Sequence, residues 1–512
     1  MNIKEARQEI INTVKAYLKK DETGAYVIPV EKQRPILLMG PPGIGKTAIL
    51  EQAANACGIN LIAYTITHHT RQSAIGLPFI ATRMYDGKER SVTEYTMSEI
   101  IASIYDRIEQ TGIREGILFL DEINCVSETL APTMLQFLQY KTFGAHHLPE
   151  GFLIVTAGNP PEYNKSVRDF DIVTLDRVKR IDIQEDYPAW KEYACRAGVH
   201  GAIMAYLEIR KEHFYSIRTD LSGKHFVTAR GWEDLSRILA VYEDLELPVT
   251  KSLIIQYLQD EEIAASFSVY YDLYQKYREI YHVDDIMEGT VSVDADVLRQ
   301  APFDEKLSMI GLLTDRLNQE CRLYGRERSV QEAVFAVLKQ IKTTVDTSRI
   351  DANPEEEATQ IRALLSSEIT DRRALFEKQK EAHLLDREEE GIRRRVLAAL
   401  EELLHAVSLR MADREPADMV FVGEWFAKRE DVRQQKIEWI GAHLTNAFAF
   451  LASVYGESQE MALFLSELSD GYHTLKFVSE CGNDAYDKYQ RLLLTKDRRH
   501  EITRDLQSFL SI

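Results

Sequence analysis

Three observations predict an α/β core, built as a parallel sheet flanked by helices, with an α-helical lid and a large all-α C-terminal region. Short apolar strands alternate with helical segments over residues 35–186, in "PILLMG", "NLIAYTI", "GILFLDE", "FLIVTAGN" and "VKRIDIQ". Strands separated by helices favour a parallel sheet covered on both faces. A glycine- and proline-rich break, "GPPGIGKT", separates the first strand from the first helix. From about residue 290 onward the pattern is helical throughout.

The chain of 512 residues is too long for one core and predicts roughly three domains of ~150 residues. Its 62 basic and 81 acidic side chains give a net charge of −19. Such an acidic chain is a poor generic partner for nucleic acid, whose phosphates reward basic surfaces. The cysteines 57, 125, 195, 321 and 481 are scattered without a CxxC pair, which suggests neither a zinc site nor a disulfide framework. The N-terminus lacks the continuous apolar centre of a signal peptide, and no run of ~18 apolar residues offers a membrane span. The expectation is a cytoplasmic protein without a membrane partner.

Taken in order, residues 1–34 read as an amphipathic helix and a connector, with Ile3, Ile10, Val14 and Leu18 near helical spacing. The core follows over 35–186. Within it, Asp86-Gly87 lies between two strand-like runs, a hairpin signal that marks an insertion near 79–96. Residues 187–290 read as a helical lid. There, Tyr270, Tyr274, Tyr277 and Tyr281 share one face, as a packed stripe rather than a ligand-stacking surface. Residues 291–512 form a helical domain or arm. One helix start is marked by Asn353 as cap, Pro354 in the first turn and Glu355 to Glu357 at the positive dipole end. Ile392, Val396, Leu400, Leu403, Val407 and Met411 keep helical spacing further on. The pairs His68–His69 and His146–His147 have no third ligand placed by spacing, so solvent-facing or packing roles are expected.

The chemistry gathers at the break. "GPPGIGKT" matches GxxxxGK[ST] in its required strand–loop–helix context. Gly40, Pro41, Pro42, Gly43, Ile44, Gly45, Lys46, Thr47 and Ala48 form the candidate phosphate cradle. Glycines let the backbone curl so that several amides face one anion, and the helix adds its positive end. Lys46 is suited to the β- and γ-phosphates, and the Thr47 hydroxyl to Mg²⁺. In "GILFLDEIN", Asp121 and Glu122 end a buried strand, where ligands of parallel sheets bind. Asp121 is expected in the Mg²⁺ shell and Glu122 to polarise the attacking water. Asn159 ends the next strand, placed to orient that water, to touch the γ-phosphate, or to start the turn before Pro160-Pro161.

In order, the phosphate loop, "LFLDEIN", "TAGNP", "TLDRVKRIDI" and "VTARGWEDLSR" resemble the AAA+ ATPases over roughly residues 30–240. The "DEIN" and "LDR" wording resembles their MoxR-like, dynein-related branch. The resemblance implies ATP as the nucleotide and a homo-oligomeric, hexameric ring in which a neighbour completes each site. It places the arginine finger at Arg177, with Arg180 and Arg168 as other candidates, and a sensor arginine of the lid at Arg230. It implies that the hairpin faces a central pore or a client, a plain surface hairpin being the alternative. Cys125 stands where the family usually has a basic residue.

Three functions then compete. The first is a chaperone-like ATPase that remodels, assembles or activates protein partners. The resemblance implies a partner with a von Willebrand factor A domain, supplied by another chain, since no DxSxS motif is evident here. The second is a nucleic-acid-linked or restriction-type NTPase motor, which would call for basic stripes; Arg393 to Arg395 instead span several helix faces. The third is a non-hydrolysing switch, against which the intact Asp121–Glu122 pair argues.

Overall fold

The computed structural model describes residues 1–68, 74, 76–143, 146–163, 170–220, 223–290, 295–348, 354–381, 385 and 387–490. The chain divides into two compact units. The first comprises residues 1–189 with 228–230 and 377–386, and the second comprises 190–227, 231–376 and 387–512.

The first unit is built on β1 (Ile36–Met39), β2 (Asn60–Thr65), β5 (Gly116–Asp121), β8 (Phe152–Gly158) and β9 (Lys179–Asp182). These are the five runs expected from the sequence. They form one parallel sheet in the order β2-β5-β8-β1-β9. Side chains of a strand alternate between faces, and here both faces are covered. Ile36, Leu38, Ile117, Phe119 and Val155 pack with Ile10 and Val14 of α1 (Ile3–Tyr17) and Ile49, Leu50 and Ala53 of α2 (Lys46–Cys57). Leu37, Met39, Leu118, Leu120 and Ile154 pack on the other side with Ile100, Ile101 and Ile104 of α3 (Glu99–Thr111) and Met134 and Phe137 of α4 (Ala131–Tyr140). Helix α1 starts with a capping box: Asn2 accepts from the Glu5 amide, and the Glu5 carboxylate accepts from the Asn2 amide.

The expected insertion is present. Strands β3 (Pro78–Tyr85) and β4 (Lys88–Tyr95) pair antiparallel around Asp86-Gly87, whose φ angles of 47° and 74° give a primed hairpin turn. The hairpin forms its own two-stranded sheet and leaves Phe79, Ile80, Met84 and Tyr85 exposed. A second short pair joins β6 (Thr142–Phe143) to β7 (His146–His147). His146 Nε2 lies 3.1 Å from the Tyr95 carbonyl oxygen. His69 lies outside the described residues, as does the side chain of His68. Among the described residues no group of three or more His, Cys, Asp or Glu side chains could hold a metal ion.

The second unit begins within α6 (Tyr187–Ala197), after the short α5 (Ile172–Leu175) of the first. It continues through α7 (Gly201–Ile209), α8 (Ala229–Asp244), α9 (Lys251–Leu258), α10 (Glu261–Tyr281), α11 (Val283–Met287) and α12 (Ala295–Gln300). Four long helices follow: α13 (Phe303–Ser348), α14 (Pro354–Glu381), α15 (Arg387–Ala412) and α16 (Met419–Tyr455). Two shorter ones, α17 (Gln459–Asp470) and α18 (Tyr472–Cys481), complete it. The sequence reading of 187–290 as wholly helical needs one correction. Strands β10 (Ser216–Asp220) and β11 (Gly223–Val227) form a hairpin there. Its central pair, Ile217 opposite Phe226, is too short an apolar alternation to stand out against the helices on either side.

Helix α13 is the spine of this unit and packs against α7, α10, α15, α16, α17 and α18. Tyr271, Tyr274 and Tyr281 of α10 are buried, and Tyr270–Tyr274 and Tyr277–Tyr281 pack ring to ring, so the tyrosine stripe is core. Val396, Leu400, Leu403 and Val407 are likewise buried along α15. Asn353 lies outside the described residues. Glu357 does more than favour the helix dipole: its buried carboxylate accepts from the Met419 amide, 3.1 Å away, at the start of α16. No described helix is long and apolar enough to cross a membrane.

A buried cation ties three helices of this unit. Lys191 of α6 donates to Glu208 of α7 at 2.9 Å and to Glu467 of α17 at 2.8 Å. Burial alone would lower its pKa, but the two carboxylates outweigh burial and raise it. Lys191→Met would remove the counter-charge of Glu467 and leave Glu208 only the exposed Lys211, costing about 3 kcal/mol or more. All four tryptophans, Trp190, Trp232, Trp425 and Trp439, lie in the second unit, so denaturation followed by tryptophan fluorescence reports on it alone. An unchanged midpoint would show that the triad is not structural.

Candidate functional site

Parallel strands end together, and the sheet order decides what meets at their C-terminal edge. β8 lies between β1 and β5. Met39 pairs with Gly158, and the Gly40 amide donates to the Gly158 carbonyl at 3.4 Å. The loop after β1 therefore starts level with Asn159, and Asp121 ends the strand on the other side of β8. Topology alone gathers Lys46, Asn159, Asp121 and Glu122.

Lys46 is the centre of the group. Its ammonium donates to the carbonyls of Gly40 at 2.8 Å and Pro41 at 2.9 Å, and to Asn159 Oδ1 at 2.8 Å. Burial pushes its pKa down to about 8. Asp121 and Glu122 pull it up, and the charge of Arg230 pushes it further down. Lys46 is thus a largely buried cation held by neutral oxygens, with no carboxylate in an ion pair to it among the described residues. Such a group is stabilised by an incoming anion.

The helix behind it is prepared for the same anion. The N-cap of α2 is Gly45, at φ 94°, with no side chain to cap the first turn. The amides of Lys46, Thr47 and Ala48 therefore lack intrahelical acceptors and carry the positive end of the helix dipole. Pro42, Gly43 and Ile44 complete the loop and are all partly buried. Gly43 is constrained twice. Its φ of 73° is left-handed, and a Cβ there would lie 2.8 Å from Cβ and Oγ1 of Thr228. The Arg230 amide donates to the Gly43 carbonyl at 3.2 Å, so residues 228–230 rest directly on the loop.

Asp121 and Glu122 are shaped by the backbone between them. Glu122 has φ 56°, a left-handed conformation uncommon outside glycine and frequent at functional sites. Asp121 Oδ1 accepts from the Glu122 amide at 2.9 Å, and Glu122 Oε2 accepts from the Thr67 hydroxyl at 3.3 Å. Burial raises the pKa of the neighbouring Cys125 thiol, and the charges of Glu122 and Asp121 add to this.

The sequence reading missed Asn124. This buried side chain donates to the Asn159 carbonyl at 2.8 Å and packs flush on Gly158, where a Cβ would be 2.7 Å from its Oδ1. It fixes the backbone that presents Asn159 to Lys46. The signal was the amide beside the acids in "DEIN". Thr67 and Thr228 had no signal, because their roles depend on contacts distant in sequence.

The arginines are not all brought together. Arg230 is exposed beside the loop, and its charge is felt by Lys46. Arg177 is exposed just after α5, and among the described residues its guanidinium makes no ion pair, with Asp176 or any other acid. Its charge helps hold the Asp171 carboxyl below the ordinary range, after the stronger effect of the Thr174 hydrogen bonds. Arg180 is engaged by Asp182 at 2.8 Å. Arg168 lies outside the described residues.

The donor set fits a magnesium–nucleotide. Thr47 and Asp121 offer hard oxygen ligands, and Lys46 with the open amides of α2 offers an anion cradle. A pair of substitutions tests the geometry. Gly45→Ala carries only the left-handed strain, about 1–2 kcal/mol, because nothing lies within 4 Å of its Cβ. Gly43→Ala carries that strain and the Thr228 clash, so amide exchange in β1 should speed up more in Gly43→Ala. Equal effects would mean that Thr228 moves aside freely.

Comparison with known families agrees with this geometry. No curated protein matches the chain. Residues 35–178, which run from β1 to the loop before β9, match the AAA domain family of the dynein-related subfamily.

Proposed function

We propose that this chain is an ATP hydrolase of the AAA+ class, in its MoxR-like branch, and that it works in a homo-oligomeric ring to remodel or activate protein partners. The observation that carries the hydrolase reading is Lys46 held by Asn159 beside the Asp121–Glu122 pair. AAA domains as a class bind ATP with Mg²⁺ and hydrolyse it.

In this reading the amides of Gly43 to Ala48 and the Lys46 ammonium hold the β- and γ-phosphates. Mg²⁺, held by Thr47 and Asp121, would offset charge on the phosphate oxygens. Glu122 accepts a proton from the attacking water as its oxygen bonds to the γ-phosphorus and the bond to the β-phosphate oxygen breaks. Asn159 is shared between Lys46 and that water. Arg230, resting on the loop through its backbone, reports the nucleotide state to the helix it begins. Arg177, exposed and without an ion pair among the described residues, is offered to the site of a neighbouring copy, where it stabilises charge in the transition state. The hairpin β3–β4 is read as the client-facing element because its apolar side chains are bare to solvent. A partner with a von Willebrand factor A domain completes the proposal.

Two experiments test this. Lys46→Ala should abolish ATP binding. Arg177→Ala should bind ATP but not hydrolyse it, and co-assembly with Glu122→Gln subunits should restore part of the activity. No recovery in mixed assemblies would rule out a finger acting in trans. Separately, Glu122→Gln purified with ATP and Mg²⁺ should retain a stoichiometric protein partner. Nucleic acid in its place would overturn the remodelling role in favour of a motor.

A further inference from the structure

The second unit contains a cavity of about 480 Å³ between α7, α8 and α13, in the size range of small-molecule sites. It lies wholly within that unit. Its walls are largely apolar, with Val199, Met204, Ala205, Leu307 and Ile310 among them. The polar groups on the same wall are distinguished by their partners.

Most are satisfied within the protein. Glu208 and Glu467 are held by Lys191. His200 Nε2 lies 3.0 Å from Glu243, and the Ser236 hydroxyl accepts from the His200 amide at 2.8 Å. Asn318 accepts from Thr474 at 2.7 Å. Gln319 donates to Asp315 at 3.0 Å. Arg237 is paired with Asp234 and Glu233. Thr314 and Arg322 are not: the Thr314 hydroxyl is buried without a partner, and among the described residues the Arg322 guanidinium makes no ion pair and its Nε is buried without an acceptor. Arg322 lies against Gly198, where a Cβ would sit 2.8 Å from the guanidinium carbon, and the φ of 72° there favours glycine. Burial holds the Arg322 pKa below its ordinary value, with the nearby Arg326 adding to this and Glu388, itself paired with Arg326, partly offsetting it. Burial also raises the pKa of Asp315 on the same wall.

A partly buried arginine that makes no ion pair among the described residues, on the wall of a largely apolar cavity, calls for an anion with an apolar body. A single guanidinium on a largely apolar wall matches one negative charge better than two. We propose that this cavity binds a small organic carboxylate, whose carboxylate is taken by Arg322 and whose apolar body fills the space between α7 and α13. The site is separate from the nucleotide loop and gives the helical unit a ligand of its own.

The test uses the full chain and calorimetric titration with benzoate, hexanoate and 2-naphthoate. The matched controls are 2-naphthylmethanol and 2-naphthyl phosphate. At least one carboxylate should bind with a dissociation constant below about 10 mM. It should bind more tightly than either control. Arg322→Gln should weaken binding about tenfold or more, the effect of losing a charge-assisted hydrogen bond. Because Arg322→Gln could perturb packing, Ala240→Trp provides a second variant. Ala240 is an exposed residue of the cavity wall, so the bulky ring should block entry without disturbing the core. No carboxylate binding, tighter binding of the phosphate or the alcohol, or binding unchanged in both variants would overturn the proposal.

Discussion

The first unit depends on one unusual interaction: a buried ammonium, Lys46, satisfied by two carbonyls and an amide oxygen instead of a carboxylate. Neutral acceptors leave the positive charge without a contacting counter-charge among the described residues, and Asp121 and Glu122 act on it only from a distance. That arrangement is costly for stability and useful for binding, since an anion arriving at α2 removes the cost. The surroundings follow from this constraint. The loop must curl tightly enough for its own carbonyls to reach Lys46. Asn159 must be fixed, which is the work of Asn124. The acids must lie near enough to keep the lysine protonated near neutral pH, yet out of ion-pair distance.

The sheet supplies that separation. With β8 between β1 and β5, the strand carrying Asn159 stands between the loop and the acids. Placing the acid strand directly beside β1 would bring Asp121 closer to Lys46 and favour an ion pair over an anion site. The left-handed backbone at Glu122 then aims the second acid differently from the first, so two adjacent carboxylates take separate tasks. Thr67, from the segment after β2, holds Glu122 from the far side of β5.

Much of this was legible in the sequence because it is local. The five strands announced themselves as apolar runs bounded by turn residues, the loop as GxxxxGK[ST], and the hairpin as Asp86-Gly87. What escaped is long-range. Thr228 meets Gly43 across nearly two hundred residues of chain, and no periodicity encodes such a contact. The β10–β11 hairpin was hidden by its short alternation. The cavity around Arg322 depends on Gly198, on α7 and on α13, and each reads locally as ordinary helix or turn. Only the fold shows that Arg322 makes no ion pair among the described residues.

The most direct measurement is the proton balance of nucleotide binding. With the Lys46 pKa depressed to about 8 in the free protein, the side chain is mostly neutral at pH 9. Binding the triphosphate should raise that pKa, so the complex must take up about one proton per site. Affinity should accordingly fall as pH rises above about 8. Calorimetry of Mg²⁺–ATP binding at pH 9, in two buffers of different ionisation enthalpy, reads the uptake directly. Heats that differ between buffers in wild type, and not in Lys46→Arg, are the predicted result. Identical heats in wild type would contradict the account, because Lys46 would then already be fully charged before the nucleotide arrives.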